Sequence, residues 1–206
     1  MLKERKVLLI SCDISSLVVD KLYKQAVGGN VDIACFYLNF TAQKDQSPAA
    51  ILGSVLKQIV CGLEEVPERI VKAFRDRGKD AGSQRLALSE IVELLQDISS
   101  TRLTFMCIDA LDECPPGYRV KLLNSFNQIL RGSPGARVFL TGRPHIRTEV
   151  ENYLAGRLAT GLITPTKSDI IIFLRAKLTE DTMPGAMDAS LEGEIIRNIP
   201  EIVSDR

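Results

Sequence analysis

L-T-F-M-C-I-D-A-L-D-E, Leu103 to Glu113, is a mostly apolar run that ends in Asp109, with Asp112 and Glu113 close behind. So short and apolar a run suits a strand covered on both faces in a parallel sheet. Gathering three carboxylates where such a strand ends carries a solvation cost unless something positive lies there. In open α/β sheets, ligands bind beyond the carboxyl ends of the strands. A magnesium ion, which prefers carboxylate and phosphate oxygens, is the simplest positive partner. The competing explanation is that Asp109 and Asp112 only cap the turn leaving the strand, where Asp is common.

Outward from this strand, apolar runs alternate with amphipathic segments. Before it, Leu86 to Ser99 reads as a helix burying Leu88, Ile91, Leu95 and Ile98. After it, Pro115-Pro116-Gly117 predicts a turn, then a helix over Tyr118 to Leu130 ended by Gly132. Ala136 to Thr141 is a further strand running directly into Gly142-Arg143-Pro144. A short helix over Ile146 to Tyr153, a strand over Arg157 to Thr164 and a helix over Thr166 to Leu178 follow, and another helix begins at Asp188.

Nearer the N-terminus, Lys6 to Ser11 reads as the first strand, with Asp13 capping a helix from Ile14 to Ala26 that Gly28-Gly29-Asn30 ends. Ile33 to Phe40 reads as a strand whose aromatic residues Phe36, Tyr37 and Phe40 belong to its core. Ser47-Pro48 opens a helix carrying Ile51, Leu52, Val55, Leu56 and Ile59 inward. Pro67 starts another through Ile70, Val71 and Phe74, stopped near Gly78, with Arg75 to Ser83 as a surface connection.

Strand–helix alternation predicts an α/β fold: a three-layer parallel sheet of about five strands flanked by helices and joined by right-handed crossovers. D-A-L-D-E and T-G-R-P then share one edge of the sheet. Carboxylates at one strand end and Arg143 at another are what a magnesium–polyphosphate ligand needs. Arg143 could equally be a surface arginine before a proline, or a partner for Glu149.

Composition narrows the function. Apolar residues at 45% and charged residues at 25% are those of an ordinary globular protein, and 26 basic residues balance 26 acidic ones. No global field favours nucleic acid or an anionic membrane. The apolar runs are too short to span a bilayer, and the N-terminal apolar core, closed by Asp13, is too short for a signal peptide. Cys12, Cys35, Cys61, Cys107 and Cys114 show no C-x-x-C spacing, which implies reduced thiols and a cytoplasmic setting. With His145 as the only histidine, a zinc site is not expected, and His145 reads as a capping or surface residue. Cys107 and Cys114 read as packing residues.

The ordered blocks Y-L-N-F, S-P-x-x-I-L-x-S-V-L-K-Q-I, F-M-C-I-D-A-L-D-E-C and A-R-V-F-L-T-G-R-P-H-I resemble the NACHT nucleotide-binding domain. More narrowly, they resemble the nephrocystin-type N-terminal NACHT segment of many fungal multidomain proteins, in the STAND class of P-loop NTPases. The resemblance covers Ile14 to Leu178. It implies a signalling switch that binds Mg²⁺ with ATP or GTP and forms homo-oligomers as the nucleotide state changes. It implies that Asp109 holds the metal, that Asp112 and Glu113 position or activate water, and that Arg143 senses the terminal phosphate. Residues 1–165 would form the NACHT-like core and 166–206 the start of a following helical segment.

One departure is large. The family's phosphate loop, G-x-x-x-x-G-K-[ST], has no match: Gly78-Lys79 is the only Gly-Lys pair, and Ala73 stands where the first glycine should. Only Cys12 and Asp13 lie between the predicted first strand and the helix beginning at Ile14. Losing three charged hydrogen bonds at the low end removes about 4.5 kcal/mol, on the order of 10³-fold in affinity. Weak or absent nucleotide binding and little hydrolysis follow. Three readings stay open: a truncated or mis-spliced switch, a pseudo-NTPase serving as an oligomerisation or regulatory scaffold, and an unrelated metal-dependent α/β enzyme.

Overall fold

The computed structural model describes residues 7–11, 15–26, 30–77, 86–162, 166–179 and 188–204. The expected Asp13 cap, Cys12, the Gly28-Gly29 stop and the Gly78–Ser83 connection lie outside the described residues.

Among the described residues, five strands make one sheet: β1 (Val7–Ser11), β2 (Val31–Tyr37), β3 (Leu103–Asp109), β4 (Ala136–Thr141) and β5 (Leu158–Leu162). They lie in the order β2-β3-β4-β1-β5, and every pairing is parallel. β3 is flanked by β2 and β4, and the period-two alternation of a strand sends its side chains to two different cores. Met106 and Ile108 enter the larger core with Val138 and Leu140 of β4. Most of its helical side chains come from α2 (Pro48–Cys61), α4 (Leu88–Thr101) and α5 (Pro116–Gly132). Cys107 and Phe139 point the other way, to Val19 of α1 (Ser15–Ala26). The result is the three-layer α/β architecture expected from the strand–helix alternation.

Local chemistry explains the helix starts. Ser47 caps α2 by accepting a hydrogen bond from Ala50 N at 3.2 Å, and Pro48 occupies the first turn, where it gives up no bond. Ile51, Leu52, Val55, Leu56 and Ile59 all point inward as their spacing requires. The shorter α3 (Glu68–Arg77) buries Ile70 but exposes Phe74, and Arg75 to Arg77 extend the helix rather than beginning a loop. α6 (Arg147–Tyr153) follows a 3-10 turn, Pro144–Ile146, that leaves His145 exposed.

Two expectations need correction. Pro115-Pro116-Gly117 does not make a free turn: Pro115 caps α5 and Pro116 is its first residue. A proline at a helix start sacrifices no intrahelical bond. β2 ends at Tyr37, not Phe40. There the Asn39 side chain accepts from Thr41 N at 2.9 Å, and a 3-10 turn runs over Phe40–Ala42. Tyr37 and Phe40 are 51% and 69% exposed, so they belong to a rim and not to a strand core.

The chain divides into two compact units, Met1–Leu162 and Ile163–Arg206. The second contains α7 (Lys167–Thr179) and α8 (Ala189–Ser204), which pack against each other. A capping box starts α7: Thr166 N donates to Asp169 at 2.8 Å and Asp169 N donates to the Thr166 hydroxyl at 3.2 Å. The Thr166 hydroxyl and amide hold the Asp169 carboxyl below its ordinary pKa. No residue of α7 is buried, and Ile172 and Phe173 face out. No helix among the described residues is long and apolar enough to cross a membrane.

Candidate functional site

β3 and β4 pair in register through Ile108 and Leu140, so Asp109 and Thr141 leave the sheet side by side. The buried Thr141 hydroxyl donates to Asp109 Oδ1 and accepts from Ala110 N at 2.9 Å. This pins the chain as it leaves β3. Ala110 adopts the left-handed conformation, φ 54° and ψ 47°. That geometry costs an alanine roughly 1–2 kcal/mol, so the surrounding bonds must impose it. Ala110→Gly is accordingly expected to stabilise the domain by about 0.5–1 kcal/mol, read as an upward shift of the urea midpoint. A fall in the midpoint would show that the left-handed turn carries no strain.

After Ala110 a 3-10 turn, Leu111–Glu113, swings Asp112 across to the end of β4. Asp112 Oδ1 accepts from Arg143 N at 3.2 Å, and its Oδ2 lies 3.4 Å from Arg143 Nε. Gly142 permits this approach, because a Cβ there would lie 3.3 Å from Asp112 Oδ1 and 2.7 Å from the tip of Ile146. The Asp112 side chain is 9% exposed and that of Arg143 is 76% exposed. So exposed an arginine contributes little stability through the ion pair; the bond to its amide is what positions the turn.

Glu113 turns the other way, toward β2. Its Oε2 accepts from Phe40 N at 2.8 Å, and its carbonyl accepts from Gln43 Nε2 at 2.8 Å. Arg119, buried in α5, closes the turn from below. Its Nε pairs with Glu149 Oε2 at 2.8 Å, and its guanidinium donates to the Cys114 carbonyl at 2.9 Å. Glu149, considered above as a partner for Arg143, therefore belongs to Arg119. Burial pushes the Cys114 thiol up to about 11, so it stays protonated and packs.

All four residues singled out from the sequence, Asp109, Asp112, Glu113 and Arg143, lie around one turn at the carboxyl ends of β3 and β4. Asp112 and Glu113 both hold main-chain N–H groups, which is capping chemistry. Among the described residues, no three acidic, cysteine or histidine side chains gather closely enough to cage a metal. Asp109 alone offers the single carboxylate with which magnesium often binds alongside phosphate and water, but these residues make no self-sufficient metal site. Two surface cavities, of ≈ 740 Å³ beside Gly53 and Phe74 and of ≈ 510 Å³ beside Ile70 and Arg102, lie away from this turn. Thr141 and Arg119 escaped the sequence reading. Thr141 becomes visible only once the β3–β4 register is known, and Arg119 carries no local signal.

Comparison with known proteins bears on the family and the fold. The family model described as nephrocystin 3, N-terminal, matches residues 13–143, ending at Arg143. Curated protein sequences give no match. The fold resembles the Walker-type ATPase PABY2304 of Pyrococcus abyssi, with TM-score 0.53 and 15% identity, over 98% of this chain and 59% of that one. It also resembles the Aeropyrum pernix ORC1 protein solved in complex with DNA, with TM-score 0.54 and 18% identity, over 94% of this chain and 50% of that one. Cdc6p from Pyrobaculum aerophilum matches with TM-score 0.51 and 12% identity, over 93% of this chain and 47% of that one. The chain thus spans about half the length of these structures, and at such identities they speak for the fold alone. With the family model covering most of the chain, the protein belongs to the nephrocystin 3 N-terminal family and has a NACHT-like P-loop NTPase fold.

Proposed function

We propose that this chain is a degenerate NACHT-type signalling module that binds Mg–ATP or Mg–GTP weakly or not at all and does not hydrolyse it appreciably. The observation that carries this reading is the interval between β1, ending at Ser11, and α1, beginning at Ser15. A phosphate loop needs about eight residues of G-x-x-x-x-G-K-[ST] there, and the chain has Cys12, Asp13 and Ile14. The backbone N–H donors, lysine and hydroxyl that would grip a triphosphate are missing from that interval. Asp109 as metal ligand, Asp112 and Glu113 as water-positioning groups and Arg143 as phosphate sensor are what an ancestral switch would have left behind.

A second reading, a scaffold that self-associates without nucleotide, is favoured by one feature. Asp112 braces Arg143, and Glu113 braces Phe40, so both carboxylates are engaged with main-chain N–H groups of the fold. Isothermal titration of the purified chain with Mg–ATP, then Mg–GTP, tests both. No saturable heat below millimolar nucleotide is expected; low-micromolar affinity would overturn the proposal. Light scattering without nucleotide separates the readings, since a concentration-independent monomer excludes the scaffold.

A further inference from the structure

Cys35 and Cys107 are directly opposite each other on the parallel strands β2 and β3. Opposed residues of a parallel pair point to the same face, and these two meet beneath Val18, Val19 and Leu22 of α1. Both are free thiols; Cys107 is buried and Cys35 half-buried on the edge strand. Neighbouring strands lie about 4.8 Å apart. A disulfide spans Cα atoms roughly 4.4–6.8 Å apart, so the spacing of paired strands falls within the range a bridge can span.

We propose that Cys35 and Cys107 are a peroxide-reactive dithiol, with Cys35 the attacking and Cys107 the resolving sulfur, that closes into a disulfide joining β2 to β3. The oxidant is hydrogen peroxide. The Cys35 thiolate attacks one peroxide oxygen, the O–O bond breaks, and Cys35 becomes a sulfenic acid while hydroxide takes up the proton that Cys35 gave up. The Cys107 sulfur then attacks the Cys35 sulfur, the S–O bond breaks, and water leaves with the Cys107 proton. Two thiols lose two electrons and one peroxide becomes two waters. The division of labour follows from position: peroxide has to reach the attacking sulfur, and of the two Cys35 is partly exposed while Cys107 is buried. The product would matter locally. Among the described residues β2 pairs with β3 alone, and the bond would lie two residues before Tyr37 and Asp109. It would fasten the strand leading to the Phe40 turn that Glu113 holds.

The test treats the folded chain, carrying Cys12→Ser and Cys61→Ser, with stoichiometric hydrogen peroxide and maps peptides without reduction. A Cys35–Cys107 linked peptide, reversed by dithiothreitol, is the expected product. Cys107→Ser should accumulate dimedone-trapped sulfenic acid at Cys35, and Cys35→Ser should abolish both products. Absence of the linked peptide from the folded chain, or its appearance only after denaturation, overturns the proposal, and that result needs no variant at position 35 or 107.

Discussion

Replacing Gly135 with alanine is expected to destabilise the domain by about 3–5 kcal/mol, the range reserved for a buried steric conflict with no escape. Gly135 sits in the turn between α5 and β4. Its N–H donates to Ser99 O at 3.0 Å, and its carbonyl accepts from Thr104 N at 3.0 Å. An added Cβ would lie 2.1 Å from Arg102 O and 2.5 Å from Ser99 O. Both are main-chain oxygens at the end of α4, so no side chain can swing aside. The turn must move, and with it the entry to β4, whose register against β3 brings Thr141 beside Asp109. At roughly 2–4 °C per kcal/mol for a chain of this size, the melting temperature should fall on the order of 10 °C. Gly117→Ala, in the first turn of α5 with open space where its Cβ would go, is the matched control and should be neutral or slightly stabilising. A Gly135→Ala loss indistinguishable from that control would show that this turn does not hold the two strands in register.

The same contrast between local and distant causes explains what the sequence disclosed. β3 and β4 have the bounds their apolar runs predict, Leu103–Asp109 and Ala136–Thr141, because most positions of each are buried and Arg137, half-buried near the start of β4, is the one charged residue inside either run before Asp109. α2 begins where Ser47-Pro48 says it should, since capping is a contact between near neighbours. β2 misled because it is an edge strand. Aromatic residues favour strands by packing on neighbours, and nothing in Phe36 to Phe40 reveals that the sheet stops there. The chain leaves after Leu38, whose N–H donates to Asp109 O at 3.1 Å, a bond to a residue far along the sequence. The site divides the same way. Asp109, Asp112, Glu113 and Arg143 stand out by residue type at strand ends. That Asp112 takes Arg143 while Glu149 takes Arg119 depends on where α5 and α6 pack, which no spacing encodes.

Arg119→Ala should be the most damaging single change beneath the acidic turn. The Arg119 side chain is 10% exposed and that of Glu149 25% exposed, so the pair is largely withdrawn from water. Removing one partner of a buried pair costs about 3–5 kcal/mol, and the partial exposure of Glu149 places this case near the lower end. The loss is not only electrostatic. The same guanidinium donates to the carbonyl of Cys114, which follows Glu113 directly. Without it, a carbonyl at the base of the turn loses its donor, and Asp112 and Glu113 lose their footing. Hydrogen exchange at the amides of Glu113 and Cys114, which donate to Ala110 O and Leu111 O, should therefore accelerate beyond what the global loss of stability explains. Arg119→Lys should rescue little, because an ammonium cannot reach the carboxylate and the carbonyl with the geometry of a planar fork. Glu149→Gln removes the charge but keeps an acceptor, so it should cost less than Arg119→Ala. The double-mutant cycle between positions 119 and 149 then separates the two contributions. Its coupling energy reports the ion pair, and the remainder of the Arg119 effect is the support given to the turn. If the coupling energy accounts for the whole Arg119→Ala loss, the turn needs no help from α5, and the placement of Asp112 rests on Thr141 and Arg143 alone.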